Sequence, residues 1–99
     1  MSTPEENLEI ALDDARESES REQAIDGLQT ANECDMLAEI VRADGVESRY
    51  RELAMTKLGH PQCKATLETL HESGEIPDSL RDQAEELLGN TPDDSGAGP

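Results

Sequence analysis

The sequence predicts an all-α fold, a short right-handed α-solenoid of about six helices, and three observations carry that prediction. Tyr50 is the only aromatic residue, so a core must be built from 11 Leu, 10 Ala, 4 Ile, 3 Met and 2 Val. Leu and Ala are good helix formers, whereas the β-branched and aromatic residues that a small sheet needs are scarce. Apolar residues recur at helical spacing in six segments, each bounded by cap or stop signals. Finally, the chain repeats itself with a period of about 30 residues, within the range of helical-repeat architectures. At 99 residues it has room for one domain, expected over 1–89, followed by an acidic Gly/Pro-containing tail, 90–99, with no apolar anchor and expected to be disordered.

In order along the chain, Pro4 to Arg16 opens with Thr3 as N-cap, Pro4 at the first helical position and Glu5 and Glu6 in the first turn. Leu8, Ala11, Leu12 and Ala15 then share one face. Ser18 to Gln29 forms a second helix, with Ser20 and Gln23 in a capping-box pattern and Ala24, Ile25 and Leu28 inward. Asn32 caps a third helix carrying Met36, Leu37, Ile40 and Val41, which stops at Asp44 and Gly45. The fourth runs from about Glu47 to Leu58, with Tyr50, Leu53, Ala54 and Leu58 inward, and Gly59 ends it. Pro61 starts a fifth with Cys63, Leu67 and Leu70 on its inner face, closed by Ser73 and Gly74. Asp78 caps a sixth, with Leu80, Ala84, Leu87 and Leu88 inward and Gly89 at its end.

The repeat is carried by Arg21-Glu22-Gln23-Ala24 with Leu28, Arg51-Glu52-Leu53-Ala54 with Leu58, and Arg81-Asp82-Gln83-Ala84 with Leu88. The intervening helices follow the same period, since Leu37 matches Leu67, Ile40 matches Leu70, and Ile10 falls one period earlier. A two-helix unit of this length cannot bury its apolar stripe alone and stacks on copies of itself. Tyr50-Arg51-x-x-Ala54-x-x-x-Leu58-Gly59 and Leu80-Arg81-x-x-Ala84-x-x-x-Leu88-Gly89 resemble the HEAT-like repeat named after the phycobilisome lyases. The first copy departs from that pattern at Ser20 and Gln29, and Gly59-His60-Pro61 stands where the family has a Gly-Asp-Pro corner, about a turn early. The resemblance covers about residues 7 to 89 and implies one helix of the second type, two full pairs and one helix of the first type. It implies little about function, because such repeats serve as lyase subunits, scaffolds and regulatory domains.

Charge narrows the function. With 24 acidic against 8 basic residues the formal net charge is −16, and mean hydropathy is −0.75. Only Lys57 and Lys64 are lysines, and the acid is spread along the whole chain. This pattern resembles proteins of salt-in halophiles, archaeal ones among them, in which molar salt shortens the Debye length to about 3 Å and screens repulsion. Direct DNA or RNA binding is not expected, because phosphate contacts need basic groups. The sequence predicts no signal peptide and no membrane span. Cys34 and Cys63 form no framework pattern and fit a reducing cytoplasm. A disulfide requires Cα atoms within about 7 Å. The repeat puts these two on neighbouring helices expected to lie farther apart, so both are expected to be small buried hydrophobes.

Candidate sites are few. Arg21, Arg51 and Arg81 recur at one position and predict a ladder of Arg-carboxylate pairs between neighbouring repeats; three aligned arginines holding an anionic ligand is the sharper alternative, opposed by the surrounding acid. With them, Ala24, Ala54 and Ala84 let helices approach, and Leu28, Leu58 and Leu88 fill between layers. His60, Cys63, His71 and Cys34 supply zinc-donor types, but their spacing gives no closed tetrahedral site, so no metal and no cofactor is expected. His71-Glu72 is like the His-Glu pairs of HEAT-repeat deoxyhypusine hydroxylases, which need several such pairs where this chain has one. No GxSxG, P-loop or GxGxxG motif occurs, so the expectation is a binding module, not an enzyme. The face of the second-type helices carries Asp13, Asp35, Glu39, Arg42, Lys64, Glu68 and Glu72, and the last six are the candidate partner-binding residues. A basic or mixed protein segment is the expected guest, in a cytoplasmic protein-protein adaptor adapted to high salt. The alternatives are an acidic decoy for a basic nucleic-acid-binding protein and an accessory subunit of a lyase-type enzyme. Truncated end units are expected to leave apolar edges that favour self-association.

Overall fold

The computed structural model describes residues 3–91, and the described residues contain six α-helices and no strand. They are α1 (Pro4–Leu12), α2 (Ser18–Thr30), α3 (Cys34–Arg42), α4 (Ser48–Lys57), α5 (Lys64–Ser73) and α6 (Asp78–Asn90), with a 3-10 turn over Pro61–Cys63 ahead of α5. Thr3 caps α1 as the sequence implies: its Oγ1 accepts from the Glu6 N–H at 3.2 Å, while its own N–H donates to Glu6 Oε1 at 2.8 Å.

Several boundaries differ from expectation, each for a local reason. α1 stops at Leu12, four residues short of Arg16, because Asp13 Oδ1 accepts from the Ala15 N–H at 2.9 Å and the Asp13 carbonyl accepts from Arg16. That side chain offers the backbone a turn in place of another helical hydrogen bond, and Ala15 is left exposed in the loop. Ser20 does not cap α2, since it lies inside the helix and Glu17 is the flanking residue. Asn32 does not cap α3 but ends α2 in the left-handed region (φ 57°). There the Asn32 N–H donates to the Gln29 carbonyl and the Glu33 N–H to the Leu28 carbonyl, both at 2.9 Å, the bond pair of a Schellman motif. α3 ends at Arg42, and α6 runs through Gly89 to Asn90. Thr91 follows, buried, with its hydroxyl donating to the Leu87 carbonyl at 2.7 Å, so Asn90 and Thr91 belong to the folded part. The remainder of the expected tail lies outside the described residues.

Consecutive helices pack as the pairs α1–α2, α3–α4 and α5–α6, and helices of like parity also touch: α1 with α3 and α3 with α5, α2 with α4 and α4 with α6. The unit is therefore the pair closed by the loops at 13–17, 43–47 and 74–77, not the pair α2–α3 that the sequence comparison suggested. A single apolar cluster from Ala11 to Ala84 runs through all six helices and includes Ile25, Leu28, Leu37, Ile40, Val41, Tyr50, Met55, Leu58, Leu67, Leu70 and Leu80. The result is a slab of 46 × 31 × 17 Å with a radius of gyration of 13.2 Å, close to the ~13 Å of a compact chain of this length.

Gly59 is a point of close approach: a Cβ there would lie 3.0 Å from Leu87 Cδ2 and 3.2 Å from the Thr56 carbonyl oxygen, so a side chain at this position would have to push Leu87 of α6 aside by a few tenths of an ångström. Ala24, Ala54 and Ala84 are all buried, as are Leu28 and Leu58, while Leu88 is half-buried.

Candidate functional site

The recurring arginines occupy two kinds of place. Arg21 Nε donates to the Ala11 carbonyl at 3.0 Å and Arg51 Nε to the Val41 carbonyl at 2.8 Å. Both acceptors are next to last in their helices, where carbonyls lack intrahelical partners. Both arginines are buried, at 2% and 6% exposure. The two loops between arginine and acceptor also match: Asp13 N–H donates to Ile10 and Arg16 to Asp13, as Ala43 donates to Ile40 and Val46 to Ala43. Arg81 has no such place. Its side chain is 48% exposed and lies 3.8 Å from Asp78 within its own helix. α5 runs one residue further, to Ser73, and ends in left-handed Gly74 (φ 72°), so the His71 carbonyl lies one position deeper in the helix.

The expected ladder is replaced by a different arrangement. Arg21 crosses to the next pair, with Nη1 3.6 Å from Glu47 Oε1, but Arg51 pairs with Asp44 of its own loop at 3.6 Å. The Arg21 guanidinium also lies over the Tyr50 ring, 4.0 Å from its centroid, and Arg49 lies 4.7 Å from the same ring. The Tyr50 hydroxyl donates to Ser18 Oγ at 3.0 Å, while Arg49 Nη2 donates to Ser18 Oγ at 2.7 Å and to the Tyr50 hydroxyl at 2.8 Å. Arg21 Nη2 and Arg51 Nη2 are buried without hydrogen-bond partners; stacking on Tyr50 compensates the first in part, since a guanidinium is attracted to a ring face. Ser18, Glu47, Arg49 and Tyr50 were not singled out as a group from sequence. The available signal was that the sole aromatic residue stands one residue before a repeated arginine.

Cys34 and Cys63 are joined in a disulfide with Cα atoms 5.4 Å apart, which corrects the expectation of two separate buried thiols. Cys34 opens α3 and Cys63 is the residue flanking α5. Their separation of 29 residues, almost one period, places them at the same end of two helices in one row. Axis-to-axis spacing of packed helices, about 8–10 Å, does not limit residues whose Cα atoms face each other across the contact. With both sulfurs bonded to each other, neither is available as a zinc ligand beside His60 or His71.

The candidate partner face falls on α3 and α5, which pack side by side. Asp35, Glu39, Glu68 and Glu72 are exposed, Arg42 is exposed and pairs with Glu75 at 3.4 Å, and Lys64 is half-buried. Asp13 lies in the loop after α1 and not on this face. An open hollow of about 440 Å³ lies elsewhere, between α5 and α6, lined by His71, Asp78, Arg81, Asp82 and Glu85. Among the described residues no group of three or more His, Cys, Asp or Glu side chains is placed to hold a metal ion, and no helix is long and apolar enough to cross a membrane. The chain matches no protein-family model, no curated protein and no solved structure.

Proposed function

We propose that the protein is a short right-handed solenoid of HEAT-like helical repeats that serves as a non-enzymatic protein-protein interaction module in a salt-adapted cytoplasm. The observation that carries this reading is the coincidence of two periodicities. The sequence repeat recurs as hydrogen bonds one period apart, Arg21 to Ala11 and Arg51 to Val41, and helices of like parity touch along the chain. Stacks of this kind offer extended faces for partners. The face formed by Asp35, Glu39, Arg42, Lys64, Glu68 and Glu72 carries four acids and two bases, and a basic or mixed protein segment complements it.

The test is affinity capture of the tagged protein in molar KCl and at low salt, from a lysate of the organism that encodes it, beside the double variant Glu39→Lys/Glu68→Lys. The expected result is one stoichiometric partner retained at high salt and lost with the variant, whose circular dichroism stays unchanged. Basic nucleic-acid-binding proteins recovered only at low salt would support the decoy instead. No partner under either condition would sink the adaptor reading.

A further inference from the structure

We infer that the Cys34–Cys63 disulfide is a redox-operated latch on the α5–α6 pair, opened by a dithiol reductant that enters at Cys34. This inference does not depend on the adaptor reading. Three observations carry it. Cys34 is partly exposed at the first position of α3, whereas Cys63 is 0% exposed, so the side from which a thiolate approaches the bond is that of Cys34. Around the bond, Cys34 Sγ lies 3.6 Å from the Gln62 carbonyl oxygen. Cys63 flanks the N-terminus of the ten-residue α5, and a thiolate leaving from that place is favoured by the positive end of the helix.

The third observation concerns what the bond holds. At the first junction, the α1–α2 pair is fastened to α4 by Arg21, Tyr50, Glu47, Ser18 and Arg49. One period on, Leu80 stands in place of Tyr50 and Pro77 in place of Glu47, so Arg51, the counterpart of Arg21, has no ring or acid at those positions across the junction and pairs with Asp44 of its own loop. Polar links from the second pair to the third include Arg42 to Glu75 and Gln83 to Glu52 and Thr56, all through exposed side chains or bonds. The covalent bond thus lies at the junction that lacks the buried arginine-tyrosine contact.

In the opening step the reductant thiolate forms a bond to Cys34 Sγ, the Cys34–Cys63 bond breaks, and Cys63 leaves as a thiolate that takes a proton from solvent. The reductant's second thiol, as thiolate, then attacks its own sulfur in the mixed disulfide and releases Cys34. Two electrons and two protons pass from the dithiol to the protein, and the reductant ends as a disulfide.

The experiment is hydrogen exchange by mass spectrometry on the full chain, oxidised and after dithiothreitol, without denaturant. With α3 and α4 still folded in the opened state, the bond restrains only the short segment between Leu58 and Cys63, which suppresses opening on the order of tenfold. The expected result is that reduction speeds exchange in 64–90 by about that factor, leaves 18–30 and 48–57 protected, and is reversed by oxidised dithiothreitol. Brief treatment of the reduced protein with N-ethylmaleimide labels Cys34 at least ten times faster than Cys63. Loss of protection in all six helices alike, no change at all, equal labelling of the two cysteines, or a bond that dithiothreitol opens only in denaturant would each overturn the latch. Cys34→Ser, which leaves the buried Cys63 in place, reproduces the reduced pattern independently of the reductant; full protection of 64–90 in that variant would equally overturn it.

Discussion

Between the first and second helix pairs, residue 50 is a tyrosine that lies under one buried guanidinium and bonds a serine of the neighbouring pair; between the second and third, residue 80 at the same register is a leucine. The helices on either side of these junctions open alike, with the N–H of Arg21, Arg51 and Arg81 donating to the carbonyls of Glu17, Glu47 and Pro77 at the starts of α2, α4 and α6. The difference shows that a sequence repeat conserves the helix and its register but not the energy of the contact made across it. A repeated arginine is buried and stabilising where the chain supplies a helix end below it and a ring or acid beside it. Without them, as at Arg81, the same residue is solvated surface. The outermost pair also replaces buried Ile25 and Met55 with exposed Glu85 at the corresponding position. A charge at that place opposes stacking of a further unit there.

The largest effect that separates the two kinds of arginine is truncation. Arg21→Ala removes a charged donor from the Ala11 carbonyl, the cation over Tyr50 and a filled space, and is expected to cost about 2–4 kcal/mol. Arg81→Ala removes an exposed side chain with one weak ion pair and is expected to change stability by less than about 0.5 kcal/mol. Urea unfolding of both variants in one buffer checks this, and equal destabilisation would show that burial of the guanidinium is not what distinguishes them.

A smaller effect sharpens the comparison at the ring. Tyr50→Leu gives the first junction the residue found at the second, and is expected to cost about 2 kcal/mol through loss of the ring face and the hydroxyl. Tyr50→Phe keeps the ring over Arg21 but removes the bonds to Ser18 and Arg49, for about 1 kcal/mol. If the two variants unfold at the same denaturant concentration, the ring contributes nothing beyond its hydroxyl.

Much of the helical layout was legible, because Thr3 with Glu6, the Pro61 turn and Gly74 are local signals that act within a few residues. What was not legible depended on partners distant in sequence or on competition between two local uses of one side chain. Asp13 reads as one more polar residue in an apolar rhythm, yet its carboxylate ends α1. The arginine repeat was visible, but its environment is set by residues 47 and 77, where Glu and Pro differ. The cysteine pair was missed because helix spacing was applied to residues that face each other at the same end of two helices. Asp35, Glu39, Glu68 and Glu72 are exposed, as charged residues between buried ones on an amphipathic helix must be, whereas Lys64 is half-buried and Asp13 lies off that face.

The smallest effects concern the two left-handed positions, Asn32 after α2 and Gly74 after α5. A glycine tolerates this conformation without cost, asparagine tolerates it better than other residues, and alanine pays about 1 kcal/mol. A Cβ on Gly74 meets nothing within 4 Å, so Gly74→Ala measures the backbone term alone. It is expected to destabilise by about 1 kcal/mol, while Gly74→Asn loses about half of that and Asn32→Gly gains a few tenths. Thermal unfolding of the three variants orders them. If Gly74→Ala is silent, the third loop relaxes out of the left-handed conformation. The extra residue of α5 would then not be what denies Arg81 the helix-end carbonyl that Arg21 and Arg51 use.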